Sequence, residues 1–298
     1  MKQKSRPGLI KRQQRGWLAA NKWLLLRRVS QISLLMLFLL GPAAGIWIIK
    51  GSMASSLTLD TLRLTDPLLL LQGLCAGHIA EIAAITGAAI VWGFYVLAGG
   101  RVFCAWVCPV NMVTDCAEWI RRRLAVTGSP LRLDHRVRYW ILVLILVLAA
   151  LTGTLVWEFI NPVTMTYRGL LFGIGSAWIL VLALFLFDLL IARRGWCGHL
   201  CPVGAFYGLT GSISLVRVAA RRRQYCNNCM DCFSICPEPF VIKPALKGDR
   251  SSSPVILSGS CTNCGRCLDV CSQNVFSLST RFYNESKTKA LKQTEVTT

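Results

Sequence analysis

Four long apolar stretches flanked by charged residues dominate the pattern of hydrophobic and polar positions along this chain of 298 residues. They are Val29–Ile49, Pro67–Gly100, Tyr139–Trp157 and Gly169–Ala192. A helix needs about 20 mostly apolar residues to cross the hydrocarbon core of a bilayer. With 54% hydrophobic residues and a mean hydropathy of +0.50, the chain has too little polar sequence to wrap four such helices in a soluble core. The pattern therefore predicts an α-helical polytopic membrane protein with four transmembrane helices.

The second stretch is longer than one span needs. Counting about 20 residues back from Gly99 leaves Ile79–Ala98 as the span, with Pro67–Cys75 as an apolar segment along the outer interface. His78 and Glu81, which are i and i+3 neighbours, then lie at the outer mouth of the helix. If instead the whole run is one tilted helix, both residues lie inside the bilayer. Ionisable residues at membrane depth are candidates for function, and a His/Glu pair can accept the protons that a quinol releases on oxidation. The alternative is that both residues only anchor the start of the helix at the interface.

The net charge of +19 is distributed in a way that indicates membrane topology. Of 33 Lys and Arg residues, nine lie in Met1–Arg28, seven in the loop between the second and third helices, and fourteen in Arg193–Thr298. By the positive-inside rule, the side that carries these thirty residues is cytoplasmic. We therefore expect both termini on the cytoplasmic side. Because the basic residues flank spans and no reading motif accompanies them, nucleic acid is not expected as a partner.

Two runs of cysteine near the C-terminus have the spacing that holds [4Fe–4S] clusters. They are Cys226-x2-Cys229-x2-Cys232-x3-Cys236-Pro237 and Cys261-x2-Cys264-x2-Cys267-x3-Cys271. In two-cluster ferredoxins the fourth Cys of each run ligates the other cluster. This rule assigns Cys226, Cys229, Cys232 and Cys271 to cluster 1, and Cys236, Cys261, Cys264 and Cys267 to cluster 2. A zinc site needs only four thiolates and leaves eight cysteines in two matching runs without a reason. The runs predict an α+β bacterial two-cluster ferredoxin domain that transfers electrons in the cytoplasm.

A second cysteine motif occurs twice in the membrane half. The motifs Cys104-x3-Cys108-Pro109 and Cys197-x3-Cys201-Pro202 lie 93 residues apart, each where an inward-going helix reaches the cytoplasmic interface. We therefore predict two parallel two-helix repeats. The i, i+4 spacing places two thiols on one helical face, and the proline disfavours helix at the preceding Cys and suits the start of a new helix. Such thiols can bind a metal or cluster, form a redox disulfide, or pack as small buried hydrophobes. We expect a redox-linked use.

These features divide the chain into four segments. They are a basic cytoplasmic tail at 1–28, a four-helix membrane domain at 29–215, the ferredoxin domain at 216–280 and a polar C-terminal tail at 281–298. The sequence contains no catalytic triad, phosphate loop or glycine-rich nucleotide fingerprint. Independent catalysis on a soluble substrate is therefore not expected.

Local strings around these motifs resemble those of the NapH family, the membrane subunits of the periplasmic nitrate reductase system. The resemblance covers nearly the whole chain and is carried by Phe103–Pro109, Trp196–Gly204, the two ferredoxin runs, and the stretches Leu64–Leu68 and Ala150–Leu155. It implies a multi-pass protein of the bacterial inner membrane. The family's cluster ligands map onto the eight ferredoxin cysteines named above, and its Cys-x3-Cys-Pro motifs map onto Cys104, Cys108, Cys197 and Cys201.

The resemblance further implies a component of a quinol dehydrogenase rather than a stand-alone enzyme. Electrons from the quinone pool in the lipid would pass through a periplasmic ferredoxin-type subunit, NapG, directly or through the membrane cytochrome NapC, to the periplasmic nitrate reductase. In this interpretation His78 and Glu81 form the quinol site. A different class of function is a maturation factor of the membrane polyferredoxin type, whose four Cys-x3-Cys-Pro thiols would handle a metal ion such as Cu(I). The chain has no Met-rich or His-rich tract for handling metal, which weighs weakly against that alternative.

Overall fold

The computed structural model describes residues 7–58, 61–124, 126, 134–173, 175–249 and 252–283. Residues 1–6 of the predicted N-terminal tail and residues 284–298 of the predicted C-terminal tail lie outside the described residues. The first half contains α1 (Leu9–Ala20), α2 (Lys22–Ala44), β1 (Ile49–Gly51), β2 (Ser55–Thr58), β3 (Leu62–Thr65), α3 (Pro67–Cys75), α4 (Ile82–Ala98), α5 (Val102–Trp106) and α6 (Val110–Arg123).

The second half begins with α7 (Val137–Thr152), α8 (Val156–Ile160), α9 (Pro162–Phe172) and α10 (Gly175–Leu186), which continues into a π-helical turn at Phe187–Ile191. A second π-helical turn (Trp196–Leu200), α11 (Pro202–Ile213), β4 (Val216–Ala219), α12 (Asp231–Ile235), α13 (Ile242–Lys247), α14 (Arg266–Val270) and β5 (Ser277–Thr280) follow, with 3-10 turns at Arg223–Tyr225 and Pro239–Val241. The architecture is a layer of helices joined to a small α+β domain.

Each of the four predicted spans contains an apolar helix. Among the described residues, one helical segment, Leu9–Ala44, is long and apolar enough to cross a membrane, with 36 residues and a mean hydropathy of 1.6. Ile82–Ala98, Val137–Thr152 and Ala177–Ile191 are shorter apolar helices of 10–17 residues. Large apolar side chains on all four are exposed, with values up to 80% at Ile82.

The apolar segment before α4 packs on neighbouring helices, and its predicted position along the membrane interface stays a prediction. Strand β3, the last of an antiparallel β1-β2-β3 sheet, runs along α4. A Cβ atom at Gly87 would overlap the carbonyl of Arg63, so only glycine allows this approach. The chain then returns as α3, which packs on α4 and α7 and buries Leu68 to 1% exposure. Hydropathy marks such a segment as apolar but carries no information about its direction.

The C-terminal α+β domain is built around one antiparallel strand pair, in which Val216 of β4 lies opposite Thr280 of β5. Helices α12 and α14 pack against each other beside it. Their apolar side chains share a core with the strands and with α13. The buried members of that core are Val218, Ala220, Cys232, Val241, Ile242, Ala245, Leu246, Ile256, Val270, Val275 and Phe276.

The basic N-terminal segment is helical and docks on this α+β domain. Helix α1 packs on α14, and the backbone N–H of Gly8 donates to the Asp231 carboxylate at 3.0 Å. The first N–H groups of α2, at Trp23 and Leu24, donate to the Asp269 carboxylate at 3.0 Å each. A carboxylate at a helix N-terminus satisfies donors that the helix itself leaves unpaired. The segment therefore fixes the α+β domain against the first apolar helix.

A buried carboxylate on α6 joins three parts of the molecule. Asp115 lies 2.7 Å from Nη2 of Arg194, 2.5 Å from Nη2 of Arg266 and 3.9 Å from Nη1 of Arg27, and it also pairs with Arg28. Burial would raise the pKa of Asp115, but these guanidinium groups outweigh it and hold the pKa well below its usual range. A depressed carboxylate pKa stabilises the folded state in full above about pH 4, and this contribution is lost as the pH falls through the folded-state pKa.

We expect Asp115→Asn to lower the free energy of unfolding at pH 7 by about 3 kcal/mol or more, because it leaves buried guanidinium charges without their counter-ion. The measurement is denaturant unfolding in detergent, followed by tryptophan fluorescence. The matched control is Asp134→Asn, since Asp134 is exposed and its amide replacement can still accept the hydrogen bond from the Arg136 N–H. Equal stability of the two variants would contradict a structural role for the Asp115 cluster.

Candidate functional site

Each predicted ferredoxin ligand set lines a cavity of its own. Cys226, Cys229, Cys232 and Cys271 line one cavity, and Cys236, Cys261, Cys264 and Cys267 line the other. The fold thus places the last cysteine of each run beside the first three of the other run. Cys232 lies within electrostatic range of Cys271, and Cys236 lies within electrostatic range of Cys261 and Cys264.

The local backbone explains how consecutive cysteines turn toward one cavity. Met230 and Gly265, with φ of 65° and 72°, adopt the left-handed conformation immediately before the short helices α12 and α14. This turn aims the cysteines on either side of it at the same space. The backbone N–H of Val275 also donates to Sγ of Cys271 at 3.3 Å, the kind of contact that tunes the potential of a cluster. A cavity with four sulfur donors and apolar walls fits a [4Fe–4S] cluster.

The two Cys-x3-Cys-Pro motifs each lie at a break between helices, as the proline positions predict. Cys104 is on α5, and Cys108 lies in the break before α6. Cys197 is in the second π-helical turn, while Cys201 has an extended backbone with φ −72° and ψ 115°, and α11 begins at Pro202. Cys108 and Cys201 therefore lie outside the helical turns that contain Cys104 and Cys197. Neither pair keeps the i, i+4 spacing along one helix that the sequence suggested.

The structure brings these two pairs together into one group of four thiols, which we call the membrane-side thiol group. Cys108 is within electrostatic range of Cys104 and Cys201, and Cys197 is within electrostatic range of the other three. Burial raises the pKa of Cys201 to about 12. All fourteen cysteines of the chain are free, so no disulfide joins the members of the group.

Glycine allows the segments around the two Cys-x3-Cys-Pro motifs to approach closely. Gly100, just after α4, lies against the backbone of Gly211 in α11, and a Cβ atom at Gly100 would overlap the Gly211 nitrogen. Gly211 in turn lies against Gly259, which is part of the α+β domain; a Cβ at Gly211 would be 2.7 Å from the Gly259 carbonyl oxygen. Three backbones therefore meet where side chains would keep them apart.

A buried ion network, which the sequence did not predict, borders the membrane-side thiol group. Nη1 of Arg101 and Nη1 of Arg138 donate to the same oxygen of Glu238, at 2.8 and 3.1 Å. Nη2 of Arg101 also donates to the carbonyl of Cys197 at 2.8 Å. Burial raises the pKa of the Cys104 thiol, and the Arg101 guanidinium opposes that shift. One feature of the sequence could have indicated this network: Arg101 lies three residues before Cys104, and Glu238 lies two residues after Cys236.

An aromatic cluster with one carboxylate also lies beside the group, and the sequence did not predict it. Tyr207 stacks on Phe103 with ring centroids 5.2 Å apart, and Tyr95 meets Tyr207 edge-on at 4.8 Å. The Tyr207 hydroxyl donates to Oδ1 of the buried Asp66 at 3.2 Å. Asp66 begins α3 and accepts the N–H of Leu68 at 3.0 Å. The string Leu64–Leu68, which is part of the family resemblance, contains Asp66. It gave no indication that Asp66 contacts Tyr207.

His78 and Glu81 do not form the predicted pair. Helix α4 begins only at Ile82, so the two residues are not one helical turn apart. The Glu81 carboxylate pairs instead with Arg63, and the side chains of His78 and Glu81 are both exposed. The i, i+3 argument fails because Glu81 caps the helix and the preceding residues are not helical.

Two segments of the chain match one family of known proteins. A family model described as a 4Fe-4S binding domain matches residues 81–127 and 174–223. Each matched segment contains one Cys-x3-Cys-Pro motif, and both end before the ferredoxin runs. The chain is therefore an iron–sulfur protein of the ferredoxin type. No solved structure matches it.

Nearly the whole chain is similar to known ferredoxin-type proteins. The chain is 51% identical to the ferredoxin-type protein NapH of Escherichia coli over 92% of its own length and 95% of that protein. It is 48% identical to NapH of Haemophilus influenzae over 92% and 96%. It is 55% identical to the methylamine utilization ferredoxin-type protein MauN of Paracoccus denitrificans over 90% and 93%. The chain belongs to the NapH family of ferredoxin-type proteins, and its identity to MauN is at least as high as its identity to either NapH protein.

The cross-run grouping of the ferredoxin cysteines has a direct test. We expect Cys236→Ser to alter the same paramagnetic signal as Cys264→Ser, and Cys271→Ser to alter the same signal as Cys229→Ser, because each pair lines one cavity. The measurement is electron paramagnetic resonance of the dithionite-reduced protein. In the matched control, Cys116→Ser, an exposed cysteine on α6 is changed and both signals should persist. Grouping of Cys236 with Cys229 instead would contradict the cross-run arrangement.

Proposed function

We propose that this protein is a membrane-bound electron-transfer subunit of a quinol dehydrogenase. It takes electrons from quinol through two [4Fe–4S] clusters in its α+β domain and passes them toward a periplasmic nitrate reductase. The observation that carries the proposal is the pair of four-cysteine cavities, because a passive anchor would need neither of them. When bound, [4Fe–4S] clusters supply one-electron acceptors at low potential.

The chain's own residues support transfer between the two cavities. Cys267 of the second set lies within electrostatic range of Cys232 of the first set, so the two sets are neighbours. The apolar core of the α+β domain surrounds both of them. Each cavity is thereby shielded from water on its inner side, which lowers the polarity around the bound group.

Four membrane crossings form part of this proposal. The four apolar helices expose large side chains such as Phe94 at 58%, Leu151 at 79% and Ile179 at 70%, which would be costly in water and are favourable in lipid. The charge distribution supports a cytoplasmic position, on the inner face of the bacterial inner membrane, for both termini and the α+β domain. The same distribution leaves the β1-β2-β3 sheet on the periplasmic side.

The acceptor is proposed from the relatives. The NapH proteins share 51% and 48% identity with this chain, and by this relationship we propose NapG as the periplasmic partner, with NapC and the nitrate reductase beyond it. The 55% identity to MauN supports a second candidate, in which the same electron transfer serves methylamine utilization. The two candidates share the donor side and differ only in the partner that reoxidises the protein.

On topology, we expect reporter domains fused after Thr298 or within 124–133 to be cytoplasmic, and one inserted within 52–59 to be periplasmic. Paired reporters active on only one side of the membrane measure this, with expression of each fusion checked by immunoblot. A periplasmic reporter after Thr298 would overturn the proposed compartment of the clusters.

Quinol should reduce the iron–sulfur centres of the protein in membranes, and the partner subunits should reoxidise them. The measurement is absorbance bleaching after anaerobic addition of a short-chain quinol, with dithionite defining full reduction. The control is Cys232→Ser, in which the first cavity lacks a ligand and the extent of bleaching should fall. Absence of bleaching by quinol with a full response to dithionite would contradict the proposed donor.

For the proton acceptor we propose His78, with Glu81 held by Arg63 nearby. Oxidation of a quinol releases two protons, and a neutral imidazole is a suitable base near neutral pH. We expect His78→Ala to slow quinol-dependent reduction by about 10-fold or more while leaving dithionite-reducible iron unchanged. The adjacent Ile79→Ala, which changes a side chain that is 99% exposed and cannot titrate, is the matched control. Equal rates in the two variants would contradict a role for His78.

A further inference from the structure

A cleft beside the α+β domain has no role in the electron transfer proposed above. It has a volume of about 560 Å³ and is bordered by α1, α2, α6 and α14. The residues of α2 that form one wall directly precede the first predicted span, Val29–Ile49. A cleft of this volume is in the range of sites that bind small ligands. We call it the arginine cleft.

Positive charge dominates the arginine cleft. Among the described residues, five arginines line it against two carboxylates, and the arginines are Arg12, Arg27, Arg28, Arg122 and Arg266. The carboxylate of Asp115 already pairs with Arg28 and Arg266. The other carboxylate, that of Asp269, accepts the first N–H groups of α2. The cleft therefore carries an excess of positive charge that an anion would compensate.

Three of these guanidinium groups have a buried nitrogen that finds no hydrogen-bond partner among the described residues. They are Nη1 of Arg27, Nη1 of Arg122 and Nε of Arg266. Arg27 is only 1% exposed, and its Nη1 lies 3.9 Å from Oδ2 of Asp115, which is too far for a hydrogen bond. A buried donor without an acceptor is costly. An anion with several oxygens, such as a phosphate, would supply the acceptors.

An apolar stripe continues from the arginine cleft along α2. Leu25 lines the cleft, and three exposed residues follow it at i+4, i+7 and i+11 on the same helix face: Val29, Ile32 and Met36. On the opposite wall, the ring of Trp119 lines the cleft and is 52% exposed. Tryptophan is enriched where a membrane meets water. The cleft thus combines a charged part with an apolar part.

A ligand with the same two parts fits this arrangement. A free phosphate would satisfy the guanidinium groups but leave the stripe uncovered, and an uncharged quinol would leave the positive charge uncompensated. Basic pockets beside membrane helices on the cytoplasmic side are suited to anionic lipid headgroups. We propose that the arginine cleft binds the phosphate headgroup of an anionic phospholipid, whose acyl chain lies along the α2 stripe. The proposal rests on the membrane location that forms part of the proposed function, but not on the electron transfer.

Such a lipid would connect the α+β domain to the apolar helices. Arg27 belongs to α2, Arg122 to α6 and Arg266 to α14, so a single phosphate held by all three joins these elements. The lipid is therefore a structural partner that stabilises the docking of the α+β domain.

Native mass spectrometry of the anaerobically purified full-length protein in detergent measures the binding. Phosphatidylglycerol should fill one site before any other. Phosphatidylcholine with the same acyl chains should bind at least about 10-fold more weakly, because its headgroup carries no net charge. Equal affinity for the two lipids would overturn the proposal.

Two double variants test the assignment to the cleft. Arg12→Gln with Arg122→Gln removes two charges that line it and should weaken phosphatidylglycerol binding about 30-fold. The matched control is Arg123→Gln with Arg136→Gln, which removes the same charge from exposed residues outside the cleft lining and should bind like the wild type. Iron content checks the folding of both. An equal loss of affinity in both would assign the binding to diffuse surface charge and refute the site.

Competitors distinguish the classes of ligand on the wild-type protein, so the question is decided even if the cleft variant does not fold. Displacement of phosphatidylglycerol by inorganic phosphate would identify a site for free anions, and displacement by a short-chain quinol would identify a quinone site. Either result would overturn the proposal. Selective lipid binding by a protein that quinol does not reduce would contradict the proposed electron donor alone.

Discussion

The carboxylate of Glu238 holds the molecule together at the point where its three parts meet. It directly follows the first ferredoxin run and is buried between Arg101, at the end of the second apolar helix, and Arg138, at the start of the third. A buried charge is tolerated only when paired and hydrogen-bonded, and removing one partner leaves the others uncompensated. If the α+β domain moved away from the helices, the charges of Glu238, Arg101 and Arg138 would lose their partners. Arg101 extends this constraint to the second π-helical turn through the carbonyl of Cys197.

Around this ion network the sulfur groups lie next to one another in a row. Cys104 and Cys197 of the membrane-side thiol group share a cavity with Cys264 of the second ferredoxin set, and Cys267 of that set is within electrostatic range of Cys232 of the first. The row leads from the apolar helices to the outer part of the α+β domain. Rigid docking matters for such an arrangement, because electron transfer depends on fixed separations between centres. The Asp115 cluster and the N-terminal helices provide a second attachment of the α+β domain to the helical layer.

The close backbone contacts have the same consequence. Gly100 follows α4, Gly211 is in α11 and Gly259 is in the α+β domain, and each lies where a side chain would separate its neighbours. Without these contacts the cysteines of the two motifs would be held apart by at least the thickness of a side-chain layer. The glycines thus allow these segments to approach closely, while Arg101 of the ion network binds the backbone carbonyl of Cys197.

The sequence by itself determined the elements that depend on local spacing. The apolar stretches contain the helices α2, α4, α7 and α10, the prolines after Cys108 and Cys201 mark helix breaks, and the cysteine runs resemble those of ferredoxins. These features follow from hydropathy, backbone restriction and ligand geometry within a few residues. Only the tertiary structure decided which distant residues meet. The convergence of two motifs into one thiol group, the burial of Glu238 between two arginines, the return of α3 among the helices, and the pairing of Glu81 with Arg63 instead of His78 are examples. Each depends on side-chain contacts between segments far apart in the chain, and spacing along a sequence carries no information about such contacts.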